Sequence, residues 1–163
     1  MQSRLLAHFE ATEALDAVVI AGFGRFGQTV LDTLQSQAAD ALQDIIIIDR
    51  DAERQAAIFN AEIGFHPSHR IHIFEGDMAD PRVWDRALAV TAQEEPVFVL
   101  GSSDDGTNLQ AALRLSHAVP GARIIALSPI RSHFAAQLAS TARFEVVSTG
   151  DLLKDRIEDD WLA

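Results

Sequence analysis

Gly22, Gly24 and Gly27 follow directly on the apolar run Val18-Val19-Ile20, and that junction limits the possible folds more than any other stretch. The run is β-branched and too short for a helix, so it reads as a strand buried on both faces of a parallel sheet. In the turn that follows, Gly22 permits a tight bend, Gly24 leaves room for a pyrophosphate to approach the backbone, and Gly27 lets the next helix pack close to the strand. That helix presents its free amides to phosphate. Three glycines in six residues also mark ordinary turns, but here the context agrees with the nucleotide reading. Phe26, Val30, Leu31, Leu34 and Ala38 recur at helical spacing, and a second apolar run, Ile45 to Ile48, ends in Asp49. An acid about twenty residues past the glycines is where such a unit binds ribose. A Walker A reading fails because Gln28 stands where that loop needs lysine.

The remaining chain alternates strand and helix. Asp51 sits at a helix-cap position before Ala52 to Ala61, whose apolar side is expected to be Ala56, Ala57, Phe59 and Ile63. Strands are predicted at Ile71–Phe74, Val97–Leu100, Ile124–Leu127 and Phe144–Val147, the last preceded by a helix containing Phe134, Leu138 and Ala139. Asp80-Pro81 caps a helix with Val83, Trp84, Leu88 and Val90 apolar and Trp84 in the core, and another helix is predicted over Thr107 to His117 with Leu109, Ala112, Leu113 and Ser116 inward. His66, His69 and His72 have no carboxylate or cysteine interleaved, so they read as solvated loop histidines rather than metal ligands.

The chain of 163 residues divides into an amphipathic lead-in helix over 1–15, a nucleotide-binding domain over 16–149 and an acidic closing helix over 150–163. A net charge of -11 disfavours nucleic acid and anionic membranes. Cysteine is absent, which excludes disulfides and thiol chemistry and agrees with a cytoplasmic location. No run is long enough for a membrane helix, and the start lacks a signal peptide's apolar region.

The expected fold is α/β: a Rossmann-like, doubly wound parallel sheet of six strands in three αβα layers, in the order 3-2-1-4-5-6, with a ligand across the first and fourth strand ends. The candidate cofactor-binding residues are Gly22, Phe23, Gly24, Arg25, Phe26 and Gly27 in the turn, Asp49 and Arg50 after the second strand, Asp77 and Met78 after the third, and Ser102 and Ser103 after the fourth. Asp105 is a further candidate for the far half. Asp49 would accept from ribose hydroxyls and repel a 2′-phosphate, a preference that Arg50 softens, and Arg25 either meets phosphate or pairs with a neighbouring acid. No catalytic or metal-binding residue is assigned. The absence of tyrosine removes the Tyr and Lys pair of short-chain dehydrogenases. The sheet with its helices is expected to use the 163 residues, which would leave no second domain among them for a substrate.

These residues resemble the TrkA-N or RCK lobe that regulates potassium channels and transporters, and the likeness covers most of the chain. Val-Ile-Ala-Gly-Phe-Gly-Arg-Phe-Gly-Gln at 19–28 is similar to the Kef-type glutathione-gated efflux branch. Asp49-Arg50-Asp51 matches that branch's acid pair, and Gly76-Asp77 resembles the family's Gly-Asp-Ala-Thr element beside the adenine. Asp104-Asp105 with Thr107-Asn108-Leu109-Gln110 resembles the opening of the fourth helix, and Ile124-Ile125-Ala126 its fifth strand. Met78 and Ala79 replace a small residue and a hydroxyl. Leu127-Ser128-Pro129 replaces an arginine-containing run, so glutathione binding is not carried over. The resemblance implies a cytoplasmic, homodimeric regulatory domain at the inner face of the membrane, without insertion of its own. Its occupancy by NAD(H) or by AMP, ADP or ATP would bias a cation transporter or channel. A small NAD-dependent oxidoreductase and a degenerate scaffold acting through oligomerisation, with Met78 filling the pocket, stay open as alternatives.

Overall fold

The computed structural model describes residues 16–38, 40–92, 95–128, 137 and 144–148. The expected lead-in helix, the helix around Phe134 and Leu138, and the acidic closing helix lie outside the described residues. The elements are β1 (Ala17–Ala21), α1 (Arg25–Ala38), β2 (Asp44–Asp49), α2 (Ala52–Glu62), β3 (Arg70–Glu75), α3 (Pro81–Val90), β4 (Val97–Leu100), α4 (Asp105–Ala118), β5 (Arg123–Ser128) and β6 (Glu145–Ser148).

All five strand pairs are parallel, in the order β3-β2-β1-β4-β5-β6. The order is the one the alternation predicts. Successive side chains of a strand point to opposite faces, and both faces are covered here. Val18, Ile20, Ile45 and Ile47 pack with Val30, Leu31, Leu34 and Phe59 of α1 and α2. Val19, Ala21, Ile46 and Ile48 pack with Val83, Trp84, Leu109 and Leu115 of α3 and α4. This is the three-layer, Rossmann-like arrangement, and it explains why β1 and β2 are apolar without alternation. Each fully buried isoleucine of β2 contributes roughly 1.5–3 kcal/mol. The sheet grows from β1 to β3 on one side and from β4 to β6 on the other. The loops after β1 and β4 therefore diverge at their carboxyl ends, the position of a ligand crevice in such sheets.

The helix ends show where local signals hold and where they do not. Asp80 caps α3 as expected: its carboxylate accepts from the Arg82 amide at 3.0 Å, and Pro81 opens the helix. Asp51 does not cap α2 with its side chain. The Glu53 amide instead donates to Glu75 Oε1 of β3 at 3.3 Å, an acceptor brought in by the tertiary fold. On α2 the buried residues are Ala52, Ala56 and Phe59, whereas Ala57 and Ile63 are exposed. Ala57 lies about a quarter turn off the buried stripe, and Ile63 follows the last residue of the helix. Helix α4 starts two residues earlier than predicted, at Asp105, because Asp104 accepts from the Thr107 amide and draws Asp105 and Gly106 into the first turn. Its buried face is Asn108, Leu109, Ala111, Ala112 and Leu115, with Leu113 and Ser116 half-buried.

The histidines are not simply solvated. At the amino end of the sheet Asp44 is buried, and it accepts two bonds from Arg70, at 2.8 and 2.6 Å, and one at 3.0 Å in its contact with His72 Nε2. His66 pairs with Ser68 Oγ. His69 is buried with Nδ1 at 2.7 Å from the Leu42 carbonyl, while its Nε2 has no partner among the described residues. No described group of three or more ligating side chains is placed to hold a metal ion.

Burial holds the His69 pKa below the ordinary 6.5, against the opposing pull of the Leu42 carbonyl and with a smaller contribution from His66. The folded protein thus binds fewer protons than the unfolded chain as pH falls below that value. Stability from this residue is complete above about pH 6.5 and is lost progressively as pH drops toward the folded pKa. Urea midpoints at pH 7.5 and 5.5 are expected to fall on acidification, and His69→Asn, which keeps a donor but cannot titrate, is expected to flatten that slope. An unchanged slope in the variant would show that the loss arises elsewhere.

Candidate functional site

The glycine turn is built by close approach. Gly22 has φ +87°, and a Cβ there would lie 2.5 Å from the Ser102 nitrogen and 2.7 Å from the Gly101 carbonyl carbon. Its amide donates to the Ile48 carbonyl at 2.7 Å, and the Gly101 amide donates to the Ala21 carbonyl at 2.7 Å, so the turn is held between β2 and β4. A Cβ on Gly27 would fall on the Gly22 carbonyl oxygen and the Ile20 side chain, which locks α1 against β1. At Gly24 a Cβ would meet nothing within 4 Å. The three positions thus divide into a bend, an open position and a packing contact. Helix α1 begins here, with the Gln28 amide donating to the Gly24 carbonyl at 2.9 Å. Gln28, which stands where a phosphate-loop lysine would be, ties the Phe23 carbonyl to Gln55 of α2.

The two phenylalanines of the turn face inward. Phe23 is fully buried against Phe59, with ring centroids 5.5 Å apart, and Phe26 packs on the same core beside Gly101. Phe23 has no surface left for a ligand, and Phe26 is half-buried, so what the turn offers a ligand is backbone, Arg25 and the open part of the Phe26 ring. Arg25 is exposed in the first turn of α1 and forms no ion pair with a described residue.

Asp49, at the end of β2, is already engaged. Its Oδ2 accepts from the Phe23 amide at 2.7 Å and its Oδ1 from the Asp51 amide at 2.9 Å. A carboxylate has about four lone-pair directions, so this one ties the glycine turn to β2 and retains acceptor capacity. Arg50 reaches across to Asp77 at 2.6 Å in an exposed pair. The Asp77 carboxyl is held below the usual carboxylate range, first by the Ala79 amide and then by Arg50. Met78 is buried at 6% exposure with Trp84 and Val83, and its carbonyl accepts from the Trp84 indole at 2.7 Å. Its side chain is therefore a core residue on the α3 and α4 side of the sheet, and Trp84 is core as predicted.

After β4, Ser102 is half-buried and Ser103 exposed. Ser102 is clamped by Asn108, a residue the sequence reading placed in a motif but gave no role. Asp105 is half-buried in the first turn of α4, and its Oδ1 is shielded without a partner among the described residues. The fold thus gathers Gly22 to Gly27, Asp49, Arg50, Asp77, Ser102 and Ser103 at the carboxyl ends of β1 to β4. Phe23 and Met78 it turns into the core, and Phe26 packs half-buried against it. The glycine turn has one open position, a guanidinium without an ion-pair partner among the described residues stands at the helix start, and an acid follows β2; such a set offers amides and Arg25 to an anion and Asp49 as an acceptor to hydroxyls.

A family model described as the TrkA-N domain matches residues 18–148. No curated protein matches the chain in sequence. Among the described residues, no helix is long and apolar enough to cross a membrane.

Proposed function

The chain belongs to the TrkA-N domain family, and from that membership we propose that it is a nucleotide-sensing regulatory domain of a potassium or other cation transport system. NAD(H) or an adenine nucleotide binds at Gly22 to Gly27 and Asp49, and occupancy biases a membrane transporter or channel. The observation that carries this reading is the open Gly24 position between the packed Gly22 and Gly27, next to Arg25, which has no ion-pair partner among the described residues. Binding changes the partner only through the difference in affinity for its two conformations. The run at 19–28 supports a Kef-type member, and the family resemblance supports a homodimer in the cytoplasm at the inner face of the membrane.

We read the domain as non-enzymatic. The residues gathered at the site are glycine amides, hydrogen-bonded carboxylates and serines, and a pair such as Tyr and Lys for hydride chemistry is not among them. Steady consumption of NADH with a carbonyl compound would favour the oxidoreductase alternative instead.

The test is a thermal-shift panel of NAD, NADH, NADP, AMP, ADP and ATP on wild type and on Gly24→Val. At a hundredfold excess over its dissociation constant a true ligand adds about 2.7 kcal/mol, roughly 5–10 °C for a chain of this size. One class of ligand is expected to shift wild type and not the variant. No shift with any of the six would overturn the nucleotide reading and leave the scaffold alternative.

A further inference from the structure

We propose that Asn108 is the positioning residue of the crevice: it holds the backbone of Ser102 as a wall for the glycine turn. This rests on the nucleotide reading above only in that the wall is said to serve binding. Asn108 is 0% exposed on α4. A buried amide is costly unless both donors and both acceptor lone pairs are used. Here all are used: Oδ1 accepts from the Ser102 amide at 3.0 Å and the Ser102 hydroxyl at 2.7 Å, and Nδ2 donates to the Ser102 carbonyl at 2.9 Å and the Leu127 carbonyl at 2.8 Å.

The place of these bonds explains why a polar group is needed. The ladder between β4 and β5 ends at Leu100 paired with Ala126, and the bond of Gly101 to Ala21 ends the contact with β1 on the other side. Ser102 is the first residue past both ladders, and without a partner its backbone would be free to move. The Asn108 side chain binds both its N–H and its C=O, as a neighbouring strand would, and anchors the pair to Leu127 of β5. On the opposite side the Ser102 nitrogen is 2.5 Å from where a Gly22 Cβ would be, so the clamped backbone forms one side of the turn. Packing α4 needs only the volume of Asn108, whereas placing the loop needs its amide.

The experiment compares Asn108→Leu, which keeps the branched shape without the polar atoms, with Leu115→Ala, which weakens the same helix's core without removing a bond to Ser102. ADP and NADH affinities are measured calorimetrically well below each variant's melting point, with amide hydrogen exchange read at Gly22 and Ser102 in the ligand-free full chain. Asn108→Leu is expected to weaken binding about tenfold or more, the equivalent of about 1.4 kcal/mol, and to speed exchange at both amides. Leu115→Ala is expected to lower the melting temperature while leaving affinity and those amides near wild type. Equal affinity in Asn108→Leu and wild type, or equal losses in both variants, would overturn the proposal. Where Asn108→Leu does not fold, Asn108→Ala replaces it, and the wild-type Ser102 amide decides independently: slow exchange supports the clamp and fast exchange overturns it. If wild type binds neither probe, it is the nucleotide reading that fails, and the exchange results alone judge the clamp.

Discussion

Gly22→Ala is expected to cost about 3–5 kcal/mol of stability, seen as a lowered urea midpoint. Holding alanine at φ +87° costs about 1–3 kcal/mol by itself. The new Cβ also meets the Ser102 nitrogen and Gly101 carbonyl carbon at 2.5 and 2.7 Å, and these are backbone atoms that cannot rotate away. Relief requires β1 and β4 to part, which stretches the bond of Gly101 to Ala21, worth about 0.5–1.5 kcal/mol. Gly24→Ala makes the contrast. Its Cβ meets nothing within 4 Å, so stability is expected to change by less than about 0.5 kcal/mol while nucleotide affinity falls. If the two variants lose stability equally, the division of roles within the turn is wrong.

Asp49→Ala is expected to lower the melting temperature of the ligand-free protein by roughly 5–15 °C, from a loss of about 2–4 kcal/mol. The carboxylate is the acceptor for the Phe23 and Asp51 amides, and Phe23 is fully buried, so its amide is left without a partner when the acid is removed. Bonds to a charged group are worth about 1.5–3 kcal/mol, and the more exposed Asp51 amide contributes the smaller share. Asp49→Asn keeps one carbonyl acceptor and is expected to lose about half as much. A consequence is that weak binding by Asp49→Ala reports the turn as well as the proposed ribose contact, and so Gly24→Val is the cleaner probe of the crevice. A ligand-free Asp49→Ala that melts with wild type would mean that the two bonds carry no stability.

Much of the molecule was legible locally. Val18–Ile20 and Ile45–Ile48 were readable as strands because a strand covered on both faces needs no polar alternation. The sheet order followed from short right-handed connections between parallel strands. The three glycines were readable because each answers a different local demand. Side-chain direction was less legible. Phe23 lies in the glycine turn, yet its ring serves the core, and Phe26 is half-buried against it, because a residue's place in a turn does not say which way it faces. Met78 likewise lies beside the crevice in sequence and under α3 and α4 in space. The buried side of α2 was misjudged at Ala57 and Ile63 because apolar character alone marks neither the edge of the buried stripe nor the end of the helix.

The sequence by itself determined the elements, their order in the sheet and the end of the sheet where a ligand would sit, since these depend on hydrophobic period, turn residues and chain connectivity. Only the tertiary structure decided which polar groups meet. Asp49 with the Phe23 amide, Glu75 with the start of α2, Arg70 and His72 with Asp44, and Asn108 with Ser102 and Leu127 are contacts between separate elements. Their physical cause is the requirement that buried or half-buried polar groups find partners, and those partners become neighbours only once the strands are in register.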